Sequence, residues 1–331
     1  MIIRYFLTVL LLFSLSISSN AQEKPILYIY TYDSFSSEWG AGPKLKKRFE
    51  KKCNCTLKWV STASSISALR KIQLEGDKSK ADILLGLDSS IISKGELSGL
   101  FENHEIDTKS LKVPNDWRSD IFLPFDFGYF AFVYNKEKLK NPPSSFLELA
   151  QMDKDFKIII QDPRSSTVGF GLMLWLKAAY DEDSNQVWAD ISPHILTITR
   201  SWGEAYNLFL KDEADMVLSY STSPAYHLIA EDDNKFQAAN FNEGHYLQVE
   251  VAGILKNSVN KKLARKFLDF LISDEAQAII TTSNWMYPVK NIDLPKGFEN
   301  LISPKNTLLI NANLIENNSQ KWIDEMFEAI K

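Results

Sequence analysis

Metal-binding and redox side chains are scarce in this sequence of 331 residues, which contains two cysteines and four histidines. The cysteines, Cys53 and Cys55, are one residue apart, whereas a redox pair usually reads C-x-x-C. The histidines are His104, His194, His227 and His245. Because their positions show no metal-ligand spacing, a metal site is not indicated. In an oxidising compartment two such cysteines form an intramolecular disulfide by default, so we expect a Cys53–Cys55 bridge.

The sequence also lacks the motifs of several enzyme classes. No G-x-x-x-x-G-K-[ST] or G-x-S-x-G occurs, so neither a P-loop nor a nucleophile elbow is indicated. Gly169–Phe170–Gly171 begins like a dinucleotide fingerprint, but Leu174 replaces its third glycine. His227 could act as a base, although a hydrogen-bonded structural histidine is the more ordinary role. The acids that could pair, if the fold gathered them, are Asp33, Asp82, Asp88 and Asp215. We expect no catalytic residue and no cofactor.

An excess of positive charge is absent as well. The chain has 37 basic and 42 acidic residues, and loss of Arg4 with an N-terminal leader would leave 36 basic residues against the same 42. An acidic protein is a poor general nucleic-acid binder. The basic residues that cluster are Lys44, Lys46, Lys47, Arg48, Lys51 and Lys52. We interpret this run as the solvated face of a helix.

The only long apolar run stands at the N-terminus. Met1–Ala21 has a basic residue at Arg4, an apolar run at 6–15, and Ser19–Asn20–Ala21 before a predicted cut. This pattern is typical of a cleaved signal peptide. A membrane anchor is the alternative, but the run is shorter than the about 20 apolar residues that span a bilayer. We expect export to the periplasm, without a lipid, since no cysteine stands beside the cut.

What the sequence does contain is two alternations of strands and helices. The predicted strands lie at 26–31, 57–60, 82–87, 157–161 and 215–218. The predicted helices lie at 42–52, 66–75, 168–180 and 203–210. This order predicts two α/β units with parallel sheets, in which ligands bind at the carboxyl ends of the strands.

Two further strand-like segments, 123–135 and 245–255, connect these units. A chain of this length usually exceeds one hydrophobic core, and two crossings between units predict a hinged pair of lobes. The expected first lobe comprises 22–124 and 250–300. The expected second lobe comprises 125–249 and 301–331, after a signal peptide at 1–21.

Hydroxyl and aromatic side chains are concentrated at the ends of the predicted strands, above all in LSYSTSPAYH at 218–227. Hydroxyls and backbone amides at a strand–helix junction suit an anionic group, although helix capping is the alternative at any single junction. The aromatic residues with polar neighbours are Tyr32, Trp202, Tyr220 and Tyr226. Aromatic faces stack on flat heterocycles and hold cations. The pattern favours a cleft for a flat, positively charged heterocycle that carries a phosphate.

Ten stretches carry a resemblance to a known family. They are YTYDSFSSEWG (30–40), CNC (53–55), SKADILLGLD (79–88), FDFGYFAFVYN (125–135), LKNPPSS (139–145), IIQDPRSST (159–167), SWGEAY (201–206), LSYSTSPAYH (218–227), AANFNEGHYLQVEVA (238–252) and NWMYPV (284–289). The chain resembles the thiamine-binding members of the type II periplasmic solute-binding proteins of bacterial ABC transporters. The resemblance implies a two-lobed α/β fold with two hinge crossover strands that closes on thiamine, thiamine monophosphate or thiamine diphosphate. It also implies delivery to an inner-membrane permease with its ATPase, by a protein that is a monomer by default.

The resemblance also implies a set of ligand-binding residues. They are Tyr32, Ser64, Ser65, Ser166, Thr167, Trp202, Tyr220, Ser221, Thr222, Ser223 and Tyr226. Ser166 and Thr167 would meet the polar end of the ligand, and Tyr32 and Tyr226 would sandwich its rings. The family has an Asp-Gly pair where this chain has Ser64–Ser65, so affinity or the preference among phosphorylated forms is expected to differ.

Other functions compete with this interpretation. An iron- or anion-binding protein of the same fold would use clustered tyrosinates, which are often adjacent, whereas Tyr220 and Tyr226 stand six positions apart. An exported thiamine-degrading enzyme would need an activated nucleophile, and Cys53 and Cys55 lie between a predicted helix and strand. An adhesion protein would not explain the hydroxyl-rich strand ends. We therefore expect capture and transport rather than catalysis.

Overall fold

The computed structural model describes residues 24–331, and the predicted signal peptide at 1–21 lies outside the described residues. The strands are β1 (Ile26–Tyr32), β2 (Thr56–Thr62), β3 (Ile83–Asp88), β4 (Phe101–Glu102), β5 (Phe122–Asn135), β6 (Ile158–Gln161), β7 (Ile195–Thr199), β8 (Met216–Tyr220), β9 (Phe236–Ala238), β10 (His245–Leu255), β11 (Tyr287–Pro288) and β12 (Thr307–Leu308). The helices are α1 (Asp33–Ser36), α2 (Ala41–Cys53), α3 (Ser65–Glu75), α4 (Ile92–Leu97), α5 (Phe146–Ala150), α6 (Thr167–Tyr180), α7 (Ser184–Ile191), α8 (Trp202–Leu210), α9 (Pro224–Ala230), α10 (Lys261–Leu271), α11 (Asp274–Thr281) and α12 (Ala312–Ala329). Within this part of the chain no helix combines the length and the apolar character needed to cross a bilayer.

The main strands form one mixed sheet in the order β2-β1-β3-β10-β5-β8-β6-β7. β1 pairs in parallel with β2 and β3, and β6 pairs in parallel with β7 and β8. β10 and β5 run antiparallel to each other and to their outer neighbours. The alternation of strands and helices in the sequence predicts the two parallel units, but it does not predict the antiparallel centre.

β5 and β10 are the two predicted crossover strands. The first half of β5, up to Tyr129, pairs with β10, and its second half, from Phe130, pairs with β8. One continuous strand therefore belongs to both lobes. The predicted two-lobed α/β fold with two hinge crossover strands is confirmed.

Most helices pack within a single lobe, and these contacts show which parts of the chain belong to it. α10 and α11 pack on α2, beside β2. α12 packs on α6 and α7 of the second lobe and also on α4 of the first. α12 thus bridges the lobes, whereas the sequence places 301–331 in the second lobe alone. The bounds 22–124 with 250–300, and 125–249 with 301–331, stay a prediction.

Two strands end later than their composition indicates, at positions that matter for the cleft. β3 continues to Asp88, and β8 continues to Tyr220, whereas the apolar runs stop at 87 and 218. Pairing of β8 with Phe130 and Ala131 of β5 extends the ladder through the polar residues Ser219 and Tyr220. β7 was not predicted, because its residues are mostly half-buried and lack a continuous apolar run.

Aromatic side chains fill the core of each lobe. In the second lobe the ring of Trp175 lies 4.9 Å from that of Phe146 and 5.3 Å from that of Phe241, measured between centroids. In the first lobe the rings of Phe49 and Phe267 lie 5.1 Å apart, which joins α2 to α10. These contacts hold helices against the sheet, and they leave the strand ends free to form a cleft.

The cysteine pair and the basic run both lie on the edge of the first lobe. A disulfide joins Cys53, the last residue of α2, to Cys55. The basic run is the exposed face of α2, as predicted for a solvated helix. Arg48 and Lys52 of this face also lie 3.5 and 2.5 Å from the carboxylate of Glu275 in α11. Exposed pairs of this kind contribute about 0–1 kcal/mol each.

Gly169, in the first turn of α6, marks a close contact between α6 and β6. A Cβ atom there would lie 2.2 Å from the carbonyl oxygen of Gln161, a backbone atom that cannot rotate away. We expect Gly169→Ala to lower the free energy of unfolding by about 1–3 kcal/mol. Gly203→Ala in α8 is the matched control, because nothing lies within 4 Å of its Cβ position. Urea denaturation with equal midpoints for the two variants would contradict this packing.

Candidate ligand-binding cleft

A cavity of about 350 Å³ lies between the two lobes, where β1, β2, β6 and β8 end. Its volume is within the range of small-molecule sites, about 300–1,000 Å³. The predicted ligand-binding residues that line it are Tyr32, Ser64, Ser65, Ser166, Thr167, Trp202, Tyr220, Ser223 and Tyr226. The carboxyl ends of the strands thus converge on one space, as the order of strands and helices predicts.

Ser221 and Thr222 are the two predicted residues that do not line the cavity. Both are fully buried, and the hydroxyl of Thr222 lies 3.7 Å from the sulfur of Met286. They occupy the tight turn between β8 and α9, in which successive side chains point in different directions. Tyr220 and Ser223 face the cleft, and the two residues between them face the interior.

The serines at the strand–helix junctions serve as helix caps and line the cleft as well. Ser64 Oγ accepts a hydrogen bond from the backbone N–H of Ser67 at 3.2 Å, and Ser166 Oγ accepts one from Gly169 at 3.5 Å. Ser64 Oγ also donates to the carbonyl oxygen of Ser165 at 2.6 Å, which links the two lobes directly. The capping and ligand-binding interpretations of these serines are therefore compatible.

A chain of hydroxyls behind the cleft orients Trp202. The indole Nε1 of Trp202 donates to Ser219 Oγ at 2.8 Å, and Ser219 Oγ lies 2.7 Å from Ser223 Oγ. The backbone N–H of Tyr220 donates to Ser223 Oγ at 3.2 Å. Part of the hydroxyl-rich stretch is therefore structural, because it fixes an aromatic wall in place.

The walls are aromatic residues from both lobes. Trp202 stacks on Tyr206 with ring centroids 4.9 Å apart, and Trp39 of the first lobe lies 6.5 Å from Trp202. On another side of the cavity, Tyr226 meets the edge of Trp285 at 5.5 Å. Trp39, Tyr206 and Trp285 were not among the predicted ligand-binding residues, although all three lie in stretches that carry the family resemblance.

His227 is buried behind the wall and does not line the cavity. Its Nε2 lies 2.9 Å from the hydroxyl of Tyr206, and its Nδ1 lies 2.6 Å from Glu231 Oε2. Tyr226 donates to Glu231 Oε1 at 2.9 Å. Burial lowers the pKa of His227 below its ordinary value. Its position fits a structural histidine that holds two wall tyrosines.

The floor of the cleft is a carboxyl pair, Asp126 of β5 and Glu250 of β10. Asn284 Nδ2 donates to Asp126 Oδ2 at 2.7 Å and to Glu250 Oε2 at 3.1 Å. Tyr32 donates its hydroxyl to Glu250 Oε2 at 3.0 Å. Burial raises the pKa of both carboxyls, and the neighbouring Asp126 raises that of Glu250 further. Neighbouring carboxylates oppose each other's ionisation, which adds to the effect of burial and favours the protonated forms of the pair.

The acids singled out from the sequence do not form this pair. Asp82 accepts from the backbone N–H of Tyr28, and Asp215 accepts from that of Lys157. Asp33 lines the cavity. Asp88 is buried beside the floor, and burial raises its pKa to about 6. Asp126 and Glu250 were missed because each stands inside a long apolar strand, and only strand pairing brings them together.

Two lobes joined by crossover strands, with a lined cavity between them, define a two-lobed solute-binding protein. Residues 40–278 match the model of the bacterial extracellular solute-binding protein family. The chain belongs to that family.

Named relatives support a narrower grouping. The chain is 48% identical over 307 residues to the thiamine-binding periplasmic protein of Escherichia coli (strain K12), covering 93% of this chain and 94% of the relative. It is 45% identical over 311 residues to the protein of the same name from Brucella melitensis, covering 93% of each. A solved structure named periplasmic thiamin binding protein matches with a TM-score of 0.91 and 48% identity, over 93% of this chain and 97% of that one.

The raised pKa values of the floor predict how stability depends on pH. Between the unfolded value near 4 and the value of about 7 for Asp126, the folded state binds more protons, so this pair makes stability fall as pH rises. Asp126→Asn should remove the contribution of Asp126 to that loss and gain about 1–3 kcal/mol relative to wild type between pH 5 and 8. Burial lowers the pKa of His227 and His245, so these histidines make stability rise with pH. They do so equally in wild type and in Asp126→Asn, and their effect cancels when the two proteins are compared.

Urea denaturation of ligand-free protein at several pH values measures this difference. Asp153→Asn, a substitution at an exposed acid, is the matched control and should give a curve parallel to wild type. A parallel curve for Asp126→Asn as well would contradict the raised pKa of Asp126.

Proposed function

We propose that this protein captures thiamine in the cleft between its lobes and delivers it to the permease of an ABC transporter. The observation that carries the proposal is the cleft itself, in which aromatic walls from both lobes stand over an acidic floor. Thiamine is a flat aminopyrimidine linked to a cationic thiazolium. Trp202, Tyr226 and Trp285 offer faces and edges to such rings, and Glu250 offers a carboxyl to the cation. Relatives that carry the name thiamine-binding support the same ligand.

The hydroxyethyl or phosphate end of the ligand would lie at the opposite, hydroxyl-rich side. The N-termini of α3 and α6 meet there, with Ser64, Ser65, Ser166 and Thr167. Helix N-termini bind phosphate through unpaired N–H groups. We propose that thiamine monophosphate and diphosphate bind through these groups. Ser64 and Ser65, in place of an Asp-Gly pair, remove one carboxylate from this end and thereby favour the phosphorylated forms.

Transport would follow from closure of the lobes. A ligand that touches both lobes stabilises the closed state by its difference in affinity for the two states. The closed, monomeric protein would then dock on an inner-membrane permease, whose ATPase drives release. The proposed place of action is the periplasm, after removal of the signal peptide. This role requires no covalent step by the chain.

The tyrosines of the cleft are poorly suited to the rival function of iron binding. Ferric sites use clustered tyrosinate oxygens, whereas the hydroxyl of Tyr32 donates to Glu250 Oε2 at 3.0 Å. Tyr226 donates its hydroxyl to Glu231, and a nearby carboxylate opposes ionisation of a phenol. Neutral phenols suit ring stacking instead.

Substitution of the aromatic walls tests the proposed site. Trp202→Ala and Tyr226→Ala should each weaken thiamine binding by about 1–3 kcal/mol, because each removes a desolvated aromatic contact. Trp117→Ala is the matched control, since Trp117 is partly buried outside the cleft, and its affinity should equal that of wild type. Calorimetric titration of protein stripped by unfolding and refolding measures all three variants.

The same titration should compare thiamine, its two phosphates and ferric citrate. Tight one-to-one binding of a thiamine form, with no heat from ferric citrate, is expected. Wild-type affinity in both wall variants would refute the placement of the ligand. Absence of binding by every thiamine form, in a folded sample, would refute the function.

A further inference from the structure

We propose that the Asp126–Glu250 pair selects a cationic ligand by exchanging its shared proton for the ligand's charge. The inference rests on the proposed function, because it concerns the same cleft. Before binding, one proton leaves the pair with a single negative charge. On binding, that proton passes to solvent, both carboxyls are ionised, and the ligand cation balances the added charge. The total charge of the floor with its occupant stays at minus one.

The register of the central strands places three acids in one row. Glu250 of β10 is directly opposite Asp126 of β5 on one side and Asp88 of β3 on the other. Residues directly opposite in a sheet point to the same face, with Cβ atoms about 5 Å apart. All three side chains are buried, with 6%, 0% and 1% exposure in that order, and Glu250 lines the cavity. The row therefore reaches the cavity at Glu250, with an acid buried on either side of it.

A second feature of the same face is a buried amide whose polar atoms have no protein partner. Gln248 precedes Glu250 by two residues and so shares its face, and it is 2% exposed. Within residues 24–331, neither polar atom of its amide has a hydrogen-bond partner, and neither does Asp88 Oδ2. Gly128 lies directly opposite Gln248 in the sheet. A Cβ atom added at Gly128 would touch Met286 and Tyr220, and both of these residues line the cavity. Buried polar atoms normally have partners, and a polar ligand would supply them.

No basic side chain of the described residues forms an ion pair with the acid row. The groups that face the pair are Tyr32 from β1, Asp88 from β3, Tyr220 from β8 and Asn284 after α11. Lys44 of α2 approaches only the neighbouring segment, where its Nζ donates to Ser283 Oγ at 2.7 Å. Burial raises the pKa of both tyrosines, so they stay neutral. Asp88, whose pKa burial raises to about 6, takes up a proton only as the pH falls toward that value. The positive charge that balances the carboxyls of the floor would therefore come from a cationic ligand.

Affinity for a cation should then rise with pH as the pair gives up its proton. The probes are thiamine and 3-deazathiamine, a neutral compound of the same shape with carbon in place of the charged ring nitrogen. Calorimetric titration at pH 7 in phosphate and in Tris, buffers with different heats of ionisation, counts the protons released. We expect thiamine to release about one proton per ligand more than 3-deazathiamine, and to bind at least ~10-fold more tightly. Both compounds carry the same aminopyrimidine, so the difference reports the cationic ring alone.

Variants of Asp126 and Glu250 test whether the released proton comes from this carboxyl pair. The double variant Asp126→Asn with Glu250→Gln, which removes both carboxyls, should abolish the difference in proton release and reduce the preference for thiamine, whereas Asp153→Asn, at an exposed acid, should leave both unchanged. If the floor variant fails to fold, the wild-type proton count still decides the matter. Tight thiamine binding with equal proton release from both compounds would overturn this inference and leave the proposed function intact. Binding of neither compound by folded protein would overturn both.

Discussion

The antiparallel pairing of β10 with β5 is the interaction on which the rest of the cleft depends. At this pair the two lobes share one sheet, and its register sets Glu250 opposite Asp126. Side chains alternate along a strand, so a slip of β10 by one residue would turn Glu250 to the other face of the sheet, away from Asp126. The hinge between the lobes and the acidic floor of the cleft are therefore built by the same backbone hydrogen bonds.

The floor is connected to the walls through specific side chains. Asn284 donates to both acids and directly precedes Trp285, whose φ of +58° places it in the left-handed region. Trp285 meets Tyr226 of the other lobe. An occupant that changes the charge of the floor thus acts beside the segment that contacts the opposite lobe, and this arrangement links binding to closure through differential affinity.

Composition and spacing reveal β1, β2, β3, β6, β8 and the two crossover strands, because these depend on local pattern, but they do not reveal the edge strand β7. The family resemblance, rather than composition, indicates many of the cleft-lining residues. Composition and spacing do not reveal contacts that arise only from pairing. Asp126 and Glu250 are each surrounded by apolar residues, and their meeting depends on strand register. Trp285 reaches the cleft through an unusual backbone conformation. The hydroxyls of Ser221 and Thr222 have the expected chemistry, but the turn after β8 directs them inward, and no sequence pattern shows that direction.

A crystal structure of the stripped and refolded protein, grown with thiamine, would show whether the cavity between the lobes holds a cationic ring over the acid pair at the hinge. The result expected is thiamine in the cavity, with its thiazolium beside Glu250 and its rings against Trp202, Tyr226 or Trp285. Thiamine bound elsewhere, or seated with its charged ring away from Asp126 and Glu250, would contradict the claim.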